Sequence, residues 1–158
     1  MKTLSKSVIC VLASASMFAM ACAASAQTVS PTGPVTATGQ LTQSLSGLFT
    51  TVCNTTFTGT ATASGFEFTS ISGTNVNGGP LACTDGIVLP IYVDTVPGNQ
   101  NQVSIRNLTV DTRLGVCSGS NIVVPWSDVA PNVSIPTTNL SFCRLSGNLT
   151  LSPATVIN

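Results

Sequence analysis

Histidine is absent from this chain, and lysine occurs only at Lys2 and Lys6. The first absence removes the Ser-His-Asp and Cys-His arrangements and the commonest general base. The second leaves Arg106, Arg113 and Arg144 as the cations beyond the N-terminal segment, so no basic cluster exists for nucleic acid. Charge of either sign is scarce, at 6% of residues. Solubility therefore rests on Thr, Ser, Asn and Gln, and neutral surfaces of this kind favour self-association and adhesion more than charged ones do. Beyond the N-terminal segment no apolar run is long enough to span a bilayer.

What is present begins with a basic start at Met1-Lys2 and Lys6, an apolar run from Val8 to Ala24, and Ala24-Ser25-Ala26 before Gln27. This pattern predicts a secretory signal peptide over 1–26, cut after Ala26. Cys22 raises a lipoprotein reading, but Ala19-Met20-Ala21 before it lacks the usual Leu. The expected mature chain is one domain, 27–158, of 132 residues. Its three arginines face Glu67, Asp85, Asp94, Asp111 and Asp128, a net charge of −2.

Four cysteines remain after the signal segment: Cys53, Cys83, Cys117 and Cys143. An even number in an exported protein implies disulfides. Three pairings are open; Cys53–Cys83 with Cys117–Cys143 is expected, because each bond then closes one local unit. Zinc is the competing reading, but there is neither Cys-x-x-Cys nor histidine.

Residues 55–63 alternate, with Thr56, Thr58, Thr60 and Thr62 on one face and Phe57, Gly59, Ala61 and Ala63 on the other. Ser64-Gly65 breaks the pattern and Phe66 to Ile71 resumes it, which predicts a β-hairpin between Cys53 and Cys83. Leu45–Val52 reads as a short strand entering Cys53. Ile87–Val93 is nearly all apolar and reads as a strand buried on both faces, with Pro90 at a bulge or edge and Tyr92 in the core. In 102–112 the apolar phase changes at Arg106-Asn107, the mark of a β-bulge, and a similar slip is expected around Cys143 in the last strand. Ile122–Trp126 is a short strand that places the single tryptophan in the core. About eight short strands with regular turns predict an all-β fold, an antiparallel β-sandwich stapled by two disulfides.

The longest alternation lies in 28–42, with Val29, Val35, Ala37, Gly39 and Leu41 among its odd positions. Two readings stand. It is a first strand at a sheet edge, or an exchangeable strand donated to a neighbouring copy, as in surface filaments. Those five residues are the candidate self-association strand.

No acid pair, metal-binding cluster or cofactor motif stands out. The expectations are no enzyme, no cofactor and no metal, with Asp85, Asp94, Asp111 and Asp128 as solvating acids. The Asn-x-Ser/Thr triplets at Asn54, Asn107, Asn132, Asn139 and Asn148 follow from composition.

Four segments carry a family resemblance: Ala37-Thr38-Gly39-Gln40-Leu41; Thr58-Gly59-Thr60 after Cys53; Gly115-Val116-Cys117-Ser118-Gly119 followed by Trp126; and Ser146-Gly147-Asn148-Leu149-Thr150 before Ser152-Pro153-Ala154. Together they resemble the small secreted bacterial proteins called protein activator of alkane oxidation. The resemblance implies a non-catalytic extracellular, cell-surface or biofilm-associated protein, linked to growth on hydrocarbons and to surface attachment. The partners expected on this basis are apolar surfaces, matrix components or further copies of the chain. A strand-exchanged filament subunit is the alternative. A polysaccharide-active enzyme, dependent on Glu67 or one Asp, is the third class.

Overall fold

A computed structural model of the protein describes residues 26–45, 48–84, 86–112 and 115–158. The expected signal peptide, apart from Ala26, lies outside the described residues, as do Asp85 and Arg113.

Ten strands occur among the described residues: β1 (Val29–Ser30), β2 (Gly33–Leu45), β3 (Phe49–Thr62), β4 (Gly65–Asn75), β5 (Ile91–Val96), β6 (Asn99–Thr112), β7 (Gly115–Pro125), β8 (Val133–Leu140), β9 (Cys143–Ser152) and β10 (Val156–Ile157). Eight of them form one antiparallel sheet in the order β7-β6-β5-β4-β3-β2-β9-β8. The sheet curls until its two outer strands meet. Trp126 bridges Val133 across the seam, and Cys117 on β7 is bonded to Cys143 on β9. A Cβ placed on Gly119 of β7 would lie 2.7 Å from Leu140 Cδ2 of β8, so the absence of a side chain there lets the seam close. The two layers of the expected sandwich are the opposite walls of this nearly closed, barrel-like sheet.

Alternation explains the interior. Phe57 and Ala61 of β3, Phe66 and Phe68 of β4, Ile91 and Val93 of β5, and Leu145, Leu149 and Leu151 of β9 are all buried on the inner face. The outer face of β2, β3 and β4 carries rows of neutral polar side chains in register: Thr36 beside Thr58 and Ser70, Thr38 beside Thr56 and Ser72, Gln40 beside Asn54 and Thr74.

The two ends of the barrel differ. At one, the β1–β10 pair lies against the end of β3, with Val29 N–H donating to the Ala63 carbonyl at 3.0 Å. Trp126 stacks on Phe66 beneath it, with ring centroids 5.5 Å apart. Asp128 Oδ1 accepts from both Trp126 Nε1 (2.9 Å) and the Ile157 N–H (3.1 Å). Buried Asn132 donates to the Ser127 carbonyl and accepts from the Leu151 N–H. This end is sealed.

Several expectations need correction. The 28–42 alternation does not mark an edge strand. β2 is central, paired along its length with β3 and over Thr36–Leu45 with β9. Val29, Val35, Ala37 and Leu41 are buried in the chain's own core and Gly39 is half-buried. Within Leu45–Val52, Leu45 is the last residue of β2, and Phe49–Val52 is the start of β3, which runs on through Cys53. Ile87–Val93 is not one strand. β5 begins at Ile91, Ile87 makes a single bridge to Val110, and Val88 is exposed. Tyr92 is half-buried and points outward, because its neighbours Ile91 and Val93 take the inner face; Arg106 lies 5.1 Å from its ring centroid. The slip near Cys143 is a tight turn at Ser141-Phe142 between β8 and β9.

Other expectations hold. Cys53–Cys83 and Cys117–Cys143 are bonded, with Cα separations of 5.5 and 5.8 Å. Trp126 is buried. Burial changes phase at Arg106-Asn107, both exposed between buried Ile105 and Leu108. Across from it Asn121 adopts a left-handed backbone with φ 52°.

Candidate functional site: an apolar cleft at the open end of the barrel

The other end of the barrel is open because the sheet is incomplete there. β4 pairs with β5 only over Gly65–Phe68, so its far half has no strand neighbour on that side. Residues 76–84 and 86–90 fill the gap without forming a strand. The Cys53–Cys83 bond ties this loop to β3. Leu81 N–H donates to buried Thr51 Oγ1 (2.9 Å), and Val52 N–H donates to Asn77 Oδ1 (2.9 Å). On the β6 side, Val88 N–H donates to the Thr109 carbonyl at 3.0 Å and Asp111 N–H to the Gly86 carbonyl at 2.6 Å. Gly86 has φ +95°, and a Cβ there would collide with the Asp111 carbonyl, so only glycine suits the position.

Between this loop, the end of β2 and the start of β3 lies an open cleft of about 550 Å³. Leu45, Phe49, Leu81 and Val110 form much of its wall. Beneath it is a narrower cavity of about 60 Å³ in the barrel lumen, lined by inward side chains from β2 to β6, β8 and β9 and by Ile87 and Trp126. Gln43 and Val110 line both spaces.

Gln43 is the exceptional residue. It occupies an inward position between buried Leu41 and Leu45, where apolar side chains are otherwise the rule. Among the described residues its amide has no hydrogen-bond partner, yet no polar side-chain atom here is both shut off from solvent and unpartnered. A dry amide without a partner costs about 1–3 kcal/mol, so Gln43 stays wetted through the cleft or meets a polar atom of a bound molecule. Among the described residues, the charged side chains nearby, Asp111 at the cleft and Arg144 beside an adjoining void that Gln43 also lines, are exposed.

Among the described residues, the rim of the open end carries several exposed apolar side chains. Leu48 is 79% exposed, Val116 53%, Phe49 44% and Phe142 38%. Leu48 and Phe49 follow the β2–β3 turn, Phe142 sits in the β8–β9 turn, and Val116 is the second residue of β7. A Cβ on Gly115 would come within 3.0 Å of the Phe142 ring, so the β7 start and the β8–β9 turn are in contact.

The described acids are not gathered. Among the described residues no group of three His, Cys, Asp or Glu side chains could hold a metal ion. Asp94 receives a two-pronged hydrogen bond from Arg106, Nη2 at 2.7 Å and Nε at 3.0 Å, on the exposed flank of the barrel. That bond, then the charge of Asp94, holds the Arg106 guanidinium above its ordinary range. Asp128 braces the sealed end. Glu67 is half-buried on β4, opposite Tyr92.

The sequence reading missed this site. Its one available signal was Gln43, a polar residue that interrupts the inward series of β2 just before Leu45. The rim residues carried no signal, because exposed Leu and Phe at turns are indistinguishable by pattern from core positions.

Among the described residues no helix is long and apolar enough to cross a membrane. The family model for alkane oxidation protein activator PraA/PraB-like proteins matches residues 1–158. Comparison with curated proteins and with solved structures found no match.

Proposed function

From the premise that this chain belongs to the alkane oxidation protein activator PraA/PraB-like family, we propose that it acts without catalysis, as a secreted protein of the outer cell surface or its matrix that promotes contact between cells and hydrocarbon. Its two disulfides fit an oxidising compartment outside the cytoplasm. The observation that carries the reading is the apolar rim of Leu48, Phe49, Val116 and Phe142 at one end of a barrel whose flank is coated with neutral hydroxyls and amides. Apolar surface gains about 25 cal/mol per Å² when removed from water, so clustered rim residues give the molecule an end that prefers oil. The polar flank stays hydrated, and the scarcity of charge leaves little electrostatic repulsion between neighbouring copies at an interface.

The test is partition of the disulfide-bonded protein between water and a hexadecane–water interface. The native protein should accumulate at the interface. The triple variant Leu48→Ser, Phe49→Ser, Phe142→Ser should lose about tenfold in retention, the equivalent of about 1.4 kcal/mol. Equal retention of the folded variant, or no enrichment of the native protein, would overturn the reading.

A further inference from the structure

We propose that the outer face of β2, β3 and β4 is a docking surface for a neutral polysaccharide, an extended β-1,4-linked glycan chain lying across the strands. The inference goes beyond the oil-facing end and does not rest on it. This face lies on the flank of the barrel, and each residue that lines it is among those described.

The face holds an open groove of about 620 Å³. One bank is Thr38, Thr56 and Ser72, side by side on three adjacent strands; the other is Gln40, Asn54 and Thr74. The floor between them is Gly39, Thr55 and Gly73, also in register. It sends no side chain outward, because two of the three are glycines and Thr55 is buried. The groove therefore runs across the strands. Neighbouring strands stand about 4.8 Å apart, a spacing close to the rise per sugar of an extended β-1,4-linked chain. Successive sugars would each meet a polar side chain from either bank.

The chemistry of the lining selects the occupant. No charged side chain lines the groove: β2 and β3 carry none, and β4 carries only Glu67, away from it. An anionic polymer would find no cation here. No aliphatic or aromatic side chain lines it either, so a lipid would gain little. Hydroxyls both donate and accept, and amides do both through separate atoms, which are the capacities sugar hydroxyls match. Among the described residues the hydroxyls of Thr38, Thr56, Ser72 and Thr74 have no protein hydrogen-bond partner. Gln40 Nε2 donates to Asn54 Oδ1 at 3.3 Å, which holds the two amides together and leaves Gln40 Oε1 and Asn54 Nδ2 for a ligand. The banks are preorganised. β3 is paired on both sides, and threonine has few χ1 choices, so little freedom is lost on binding. Each new hydrogen bond replaces one to water and nets only about 1 kcal/mol, so affinity must come from several sugars in a row.

The experiment titrates the disulfide-bonded protein by calorimetry with three neutral β-1,4-linked hexasaccharides: cellohexaose, mannohexaose and N-acetylchitohexaose. At least one should bind saturably, about tenfold more tightly than its own disaccharide. Hexamannuronate, the charged counterpart, should not bind. The double variant Thr38→Val, Thr56→Val keeps side-chain shape and strand preference and removes two hydroxyls; it should weaken hexasaccharide binding about tenfold. Thr56→Arg, which fills the middle of the groove, should abolish it, and circular dichroism checks that each variant is folded. No saturable binding of any of the three overturns the site. Undiminished binding by both folded variants overturns its placement. Hexamannuronate binding as tightly as the neutral chains overturns the assignment to a neutral glycan. A dimer in light scattering that the variants convert to monomer overturns it in favour of a second copy of the chain. Failure here with intact partition to the hexadecane interface leaves the oil-facing reading standing, and the reverse pattern removes that reading alone.

Discussion

Asp128 shows how one exposed acid can serve structure. A single carboxylate oxygen accepts from the indole of buried Trp126 and from the backbone of β10. Removing it strands the Trp126 N–H in an apolar setting. Asp128→Ala is therefore expected to lower unfolding free energy by about 1–3 kcal/mol, measured by urea titration followed by Trp126 fluorescence. A change within ~0.5 kcal/mol, the range of an ordinary surface substitution, would contradict this role. The sequence made Trp126 legible as core, because one large aromatic beside an apolar run has few other places to go. It did not make Tyr92 legible. Inside Ile87–Val93 the apolar run hides a simple alternation, and only the strand's start at Ile91 reveals that Tyr92 faces Arg106 and the solvent.

At the scale of elements, the two disulfides perform different tasks. Cys53–Cys83 pins the loop that stands where sheet is missing and forms one wall of the cleft. Cys117–Cys143 joins β7 to β9 across the seam towards the open end, and the Trp126–Val133 bridge joins the seam at the sealed end. Each closes a span of similar length, 30 and 26 residues, and a loop of that size contributes about 3–4 kcal/mol in the chain-entropy model. The double variant Cys117→Ala, Cys143→Ala should lose about that much stability, and its β7 and β8 amides should exchange hydrogen faster than those of central β2. Uniform exchange across all strands would show that the seam is not the weak line of the sheet. The pairing itself was legible from spacing, but its purpose was not. Sequence separation says that two cysteines lie within one local stretch. It does not say that the stretch spans the joint of a barrel. The same limit applies to 28–42. Period-two alternation reports which face a residue takes, whereas strand neighbours depend on long-range pairing that no local pattern encodes. β2 therefore read as an edge strand, although it lies between β3 and β9.

The molecule as a whole is a nearly uncharged barrel with one sealed end and one apolar end. It contains no histidine, and its four described cysteines are bonded, so among the described residues the side chains that ordinarily change charge near neutrality are missing. Arg106 has its pKa raised by Asp94; the stabilisation linked to that shift is present below the ordinary arginine range and is lost only as pH rises through the still higher folded value. Thermal unfolding should therefore shift by less than about 3 °C between pH 6 and 9, on the scale where 1 kcal/mol moves a domain of this size several degrees. A steep trend across that window would reveal a coupled group near neutrality.

All-β class, strand number and disulfide count follow from composition and period, which are local. The open end does not, because it arises where one strand is too short and a loop takes its place. The central claim is that this end carries cells to hydrocarbon, and cell adherence to hexadecane droplets tests it most directly. Cells producing the native protein should move to the droplets. Cells producing the Leu48→Ser, Phe49→Ser, Phe142→Ser variant at the same external level should stay in water, like cells without the protein. Equal adherence by native and variant producers would contradict the account.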